Sequence, residues 1–154
     1  MGRYARALRV LRQAGTGGVP RPTQPASQGY FDLKEIIKPW GSEKLLATGE
    51  RYAVKEITVN PDSRISLQSH KHRSEVWTVT QGEGWLTNGD SSGPIAKGDS
   101  TFISMGSVHR VENRCTVELL VFVEVQYGKR CLDDDIVRYE DDYGRLEVER
   151  EQKN

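Results

Sequence analysis

Apolar side chains recur at strand spacing through the middle of this chain. Arg51–Val59 places Tyr52, Val54, Ile57 and Val59 at apolar positions interrupted by Lys55 and Glu56. Val76–Thr80 and Gly84–Thr87 are rich in β-branched and aromatic residues, which suit a pleated, half-buried surface. Asn88-Gly89-Asp90 supplies a turn, because Asn-Gly tolerates the positive φ of a tight hairpin. Thr101–Ile103, Val108–Val111 and Thr116–Val125 continue the series, and no long helical period precedes Asp133. Short strands separated by turn residues predict an all-β barrel or sandwich. The charged tail Arg145–Asn154 predicts a short solvated helix or coil, and no internal repeat is visible.

Composition narrows the class. A chain of 154 residues, 36% hydrophobic and 29% charged with 15 Gly and 6 Pro, suits one soluble domain rather than collagen, coiled coil or disorder. Residues 1–28 stand apart. Met1–Arg12 could form a basic helix, and Gly15–Gln28 is rich in Gly, Pro, Thr and Ser. This stretch holds five Arg and no acid, resembling an organellar transit peptide or a disordered leader. The domain proper is then expected over 29–154. It keeps 17 of the 22 basic residues against all 22 acids, a net −5. An acidic body argues against nucleic-acid binding, which needs a basic face. The most apolar run, Val117–Val125, contains Glu118 and Glu124 and is too short for a membrane span of about 20 residues. Cys115 and Cys131 make no disulfide framework and read as reduced thiols. The expected compartment is the cytoplasm, or a mitochondrion or plastid should the leader act as a transit peptide.

The chemistry concentrates around three histidines, His70, His72 and His109. Gln68, His70 and His72 alternate, so in an extended strand they project from one face. Glu75 follows closely, and His109 lies a strand or two further on. Imidazoles with a carboxylate and an amide oxygen make a site for a divalent first-row metal.

Two spacings are diagnostic. Asp62-x5-Gln68-x-His70-x4-Glu75-x6-Gly82 and Gly98-x5-Ser104-x-Gly106-x2-His109-x3-Asn113 follow the two cupin motifs. Lys38-Pro39-Trp40-Gly41, Tyr52-Ala53-Val54-Lys55, Ser66–Trp77, Val108–Asn113, Glu124-Val125-Gln126 and Asp134–Arg138 add text in the same order. Over roughly residues 39–145 the chain resembles the type II phosphomannose isomerase domain. That domain usually forms the C-terminal part of bifunctional mannose-1-phosphate guanylyltransferase/mannose-6-phosphate isomerases. The resemblance implies a single cupin, a double-stranded β-helix or jelly-roll barrel.

By that alignment the metal ligands are Gln68, His70, Glu75 and His109, with zinc the expected ion and Mn, Co or Fe as alternatives. Should His72 displace Gln68, the set becomes three His and one Glu. The implied reaction is interconversion of mannose 6-phosphate and fructose 6-phosphate, feeding GDP-mannose and polysaccharide synthesis. A net positive site would stabilise the enediolate formed on the way. His72, with an unperturbed pKa of about 6.5, is a candidate to move the proton. Arg73 is the expected catalytic and phosphate-gripping cation, since its planar fork suits phosphate. Arg110 and Lys55 are further candidates for substrate binding.

Three departures bear on this. Asp62 replaces a turn Gly, Ser104 replaces a Pro and loosens the turn before His109, and Val76 replaces a His beside a ligand. The guanylyltransferase half is not in this sequence, so a separate nucleotidyltransferase is an expected partner. The alternatives are a non-catalytic sugar-phosphate or sugar-nucleotide binding cupin, favoured by the Val76 change, and another metal cupin such as a dioxygenase or epimerase. A homodimer paired through its sheets is the expected assembly.

Overall fold

Side chains alternate strictly along the two central strands. In β6 (Arg73–Gln81) Arg73, Glu75, Trp77 and Val79 are buried, and in β11 (Leu120–Gly128) Leu120, Phe122, Glu124 and Gln126 are buried. These strands lie at the centre of a computed structural model that describes residues 34–131 and 133–146. The leader 1–28 and the tail from 147 onward fall outside the described residues.

Among the described residues, twelve strands form two sheets. The first runs β1 (Glu35–Lys38), β2 (Gly41–Gly49), β3 (Tyr52–Val59), β11, β6, β9 (Ser100–Ile103), with every neighbouring pair antiparallel. The second runs β12 (Ile136–Glu140), β5 (Leu67–His70), β10 (His109–Asn113), β7 (Glu83–Asn88), β8 (Ser91–Ala96). The short β4 (Ser63–Arg64) lies along β10 beside β5. A 3₁₀ turn, Asp133–Asp135, leads into β12. One core cluster joins both sheets, with Ile57, Val59, Trp77, Val79, Ile103, Leu120 and Phe122 from the first and Ile95 and Val111 from the second. This is the expected all-β jelly roll.

The strands read from alternation are all present; β10 runs His109–Asn113 rather than from Val108, and one further segment shifts more. Residues 116–119 are not strand, and β11 begins at Leu120. The Asn113 side chain is the cause: its Nδ2 donates to the carbonyls of Val59 and Glu118, at 3.0 and 2.8 Å, and its Oδ1 accepts from the Cys115 N–H. That network holds the preceding segment as a bent loop. Asp62 adopts φ 51°, the left-handed conformation of the Gly it replaces. Ser104 does not leave its turn open, because its carbonyl accepts the Ser107 N–H at 2.9 Å.

The inward faces of the central strands change character along their length. Phe122 and Val79 pair at one level, and Glu124–Trp77 and Gln126–Glu75 pair at the next levels. On β3, Lys55 stands across from Glu124. One end of the barrel is therefore hydrophobic core, and the other gathers ionisable side chains.

Candidate metal centre and adjoining cavity

β5 and β6 belong to different sheets, yet only Lys71 and His72 separate them. This tight crossing brings His70 beside Glu75. Its backbone is held from outside: buried Asp135 accepts the N–H groups of Lys71 and His72 at 3.2 and 3.1 Å. The Gly106 N–H donates to the His70 carbonyl at 2.8 Å, which draws the loop before His109 onto the same point. Gly128 allows its own strand to close on the crossing, since a Cβ there would lie 2.2 Å from the His72 carbonyl oxygen.

The result is a buried cluster. His70 Nε2 is 3.1 Å from Glu75 Oε1, and His109 Nε2 is 3.6 Å from Glu75 Oε2. One ligand atom from each of the three residues lies within 4.8 Å of the others. His109 Nδ1 donates to the Ser107 carbonyl at 2.9 Å, so the Nε2 lone pair faces inward. That buried Nε2 has no hydrogen-bond partner, nor has His70 Nδ1. An orphaned His109 Nε2 beside the Glu75 carboxylate, its ring oriented by a backbone carbonyl, and a second imidazole on the same carboxylate fit a divalent metal.

Glu75 is held ionised. Burial would raise its pKa, but the His70 hydrogen bond and the electrostatic attraction of the neighbouring His70, His109 and Arg73 outweigh this and bring it down to about 2. Trp77 Nε1–H donates to Glu75 Oε2 at 3.1 Å and Arg73 Nε–H to Oε1 at 2.9 Å. Burial lowers the pKa of His109, keeping its imidazole neutral as a ligand must be.

Gln68 stands directly across the β5–β10 ladder from His109, and on one strand face with His70. Its Oε1 accepts the Ser66 hydroxyl at 2.7 Å. His72 is placed elsewhere, against the expectation that it lines up with Gln68 and His70. The strand ends at His70, and the crossing turns the His72 side chain outward, 48% exposed, with Nδ1 2.7 Å from Asp135 Oδ1. Arg110 also departs from expectation. It is buried on β10, donating to Glu140 Oε2 at 3.0 Å and to the Ile65 carbonyl at 3.2 Å. It supports the second sheet instead of facing a ligand.

Beside the cluster lies a cavity of about 90 Å³. Gln68 and Arg73 lie on its side toward the His70–Glu75–His109 cluster, and Lys38, Lys55, Arg138 and Arg145 bring further cations. Two carboxyls reach it. Glu43 is paired with Lys38 at 3.0 Å and Lys55 at 3.6 Å, whereas Glu124 accepts a hydrogen bond from Gln126 Nε2. Burial, followed by the negative charge of Glu75, pushes the Glu124 carboxyl up to about 8, against the pull of Lys55 and Arg73. In the sequence Glu124 and Gln126 stand within family motif text that assigns them no role. The signal available was a carboxylate and an amide at inward positions of an otherwise apolar strand.

Val76, the departure nearest a ligand, points away from the site. It pairs with Val125 and Phe102 on the outer face of the first sheet. The change is adjacent to Glu75 in sequence and on the opposite side of the strand.

Known proteins agree with this architecture. An RmlC-like cupin from Shewanella frigidimarina superposes with a TM-score of 0.60 at 15% identity, covering 67% of this chain and 88% of that one. The xanthan biosynthesis protein XanB of Xanthomonas campestris is 41% identical over 112 residues, 73% of this chain and 24% of its own. A mannose-1-phosphate guanylyltransferase of Salmonella muenchen is 38% identical over 113 residues, again 73% and 24%. The chain thus spans about a quarter of the length of these curated relatives. The description "Mannose-6-phosphate isomerase C-terminal" fits residues 27–141, and the chain belongs to that family.

Proposed function

We propose that this cupin domain interconverts mannose 6-phosphate and fructose 6-phosphate with a bound divalent metal, supplying GDP-mannose and polysaccharide synthesis. The observation that carries the reading is the buried His70–Glu75–His109 cluster, with its orphaned nitrogens, bordering a cavity rich in cations. Family membership and the relatives' names, a xanthan biosynthesis protein and a mannose-1-phosphate guanylyltransferase, support the substrate class.

His70, Glu75 and His109 would hold the metal, with Gln68 as fourth ligand and zinc as the ion. When bound, a dication with one carboxylate ligand supplies net positive charge next to the sugar oxygens that become negative during isomerisation. The chain's own residues do the rest. Arg73, linked to Glu75 and facing the cavity, presents a fixed guanidinium to the substrate. Lys55 and Arg138 add positive charge along the wall and take the phosphate in place of Arg110. Phe122, Ile57 and Trp40 form the apolar wall that limits water.

A separate nucleotidyltransferase is the proposed functional partner. A homodimer would form through the outer face of the first sheet, where Val54, Val125, Val76 and Phe102 align across four strands. The assay is direct: purified chain with Zn, Mn, Co or Fe(II) restored is given mannose 6-phosphate, and fructose 6-phosphate is followed. Turnover that a chelator abolishes is expected; no turnover with any of the four ions overturns the reading.

A further inference from the structure

Moving a hydrogen between C1 and C2 of an aldose requires one group able to take and return a proton on one face of the sugar. His72 does not serve: it is outside the cavity lining and its Nδ1 is bound to Asp135. Glu43 lines the cavity but sits in ion pairs with Lys38 and Lys55. Glu124 is the second carboxyl of the lining, buried on the inward face of β11.

The groups around Glu124 come from each neighbouring strand. Lys55 faces it from β3, with Glu43 of β2 behind that lysine, and Arg73 and Glu75 act on it from β6. Gln126, on its own strand, donates to Glu124 Oε1 through Nε2. Burial and Glu75 favour the acid, while Lys55, Arg73 and the Gln126 hydrogen bond favour the carboxylate. A carboxyl placed on the cavity wall among these opposed groups is positioned both to accept and to release a proton. Gln126 lines the same cavity, and its Oε1 atom is buried without a hydrogen-bond partner. It is an acceptor suited to a sugar hydroxyl.

We propose that Glu124 is the proton-transferring residue of the isomerisation, with Gln126 receiving a substrate hydroxyl beside it. This rests on the isomerase reading above. The Glu124 carboxylate removes the C2 proton of the open-chain aldose, the C2–H electron pair forms the C1–C2 double bond, and O1 takes the negative charge. The O2 proton passes to O1, the C2–O2 carbonyl forms, and the double-bond pair takes a proton from the Glu124 carboxyl, which exchanges with solvent, at C1. No other reactant is consumed.

The test uses the metal-loaded chain, mannose 6-phosphate and D₂O, reading both fructose 6-phosphate formation and deuterium at C2 of recovered substrate. Glu124→Gln is expected to slow both by about 100-fold or more. Bound metal and KM are expected to stay within about threefold of the parent. Exchange within about threefold of the parent overturns the assignment, as does loss that merely tracks lost metal or lost sugar-phosphate binding. If Glu124→Gln fails to fold, Glu124→Asp carries the test: its retracted carboxylate must slow exchange at unchanged binding, and parental exchange overturns the proposal. An active parent with an active variant removes Glu124 alone; an inactive parent removes the isomerase reading and this inference with it.

Discussion

His109 Nε2 lies 3.6 Å from Glu75 Oε2, although the two residues belong to opposite sheets. A cation held between them would tie the sheets together at the polar end of the barrel, where the apolar core has given out. Site and fold are coupled through this contact and the 3.1 Å contact of His70 Nε2 with Glu75 Oε1.

Metal should therefore stabilise the fold. At a free metal concentration 100-fold above Kd the gain is about 2.7 kcal/mol, several degrees in Tm for a domain of this size. Thermal unfolding of stripped protein with and without added zinc checks this. His109→Ala should lose the shift; an unchanged melting curve on metal addition in the parent would refute the site.

Gln68 and His72 should separate cleanly. Gln68→Ala is expected to weaken metal binding by about tenfold or more, while His72→Ala, removing an outward ring paired with Asp135, should change it less than about twofold. Bound metal measured after dialysis decides. Greater loss from the His72 variant would restore it as the ligand.

Glu124 sets a pH dependence of stability in the metal-free protein. Its carboxyl moves from the usual 4.5 to about 8 on folding. Between those values the folded state keeps a proton that the unfolded state has released, so this contribution is full below about pH 4.5 and is lost as pH rises through 8. Urea unfolding from pH 5 to 9 should show stability falling by roughly a few kcal/mol, with Glu124→Gln flattening the slope. Identical slopes in both proteins would contradict the assignment.

Arg110 and the cavity cations should act differently. Arg110→Met removes the bond to Glu140 and leaves the Ile65 carbonyl without its donor, destabilising the fold by about 1–3 kcal/mol with KM unchanged. Lys55→Met is expected to raise KM for the sugar phosphate by about tenfold, as loss of one charge-assisted contact implies. Steady-state kinetics with denaturant curves distinguish the two.

Trp77 links core to site. It stacks on Phe122 with ring centroids 4.7 Å apart, meets the His109 ring edge-on at 5.4 Å, and donates to Glu75. Trp77→Ala should remove about 3–5 kcal/mol of stability, and metal affinity should fall with it. Calorimetry and metal titration report both effects; preserved affinity would separate site from core.

Local pattern by itself carried the strand alternation of β3 and β6, the hairpin turn at Asn88-Gly89, and the spacing of Gln68, His70, Glu75 and His109 that matches the cupin motifs. These are properties of neighbours along the chain: strand period, turn chemistry, and the order in which ligand types recur. Pairing of distant strands decided the rest. His72 shares a two-residue period with His70, but the chain leaves its sheet between them and turns the ring outward. Arg110 adjoins His109 in sequence and points across the second sheet to Glu140. Glu124 became a cavity carboxyl only when Lys55, Arg73 and Glu75 closed around it from strands far away in the chain. Which face a side chain presents follows from alternation, whereas the charges it meets there depend on register and sheet stacking, and those are set by burying one shared core.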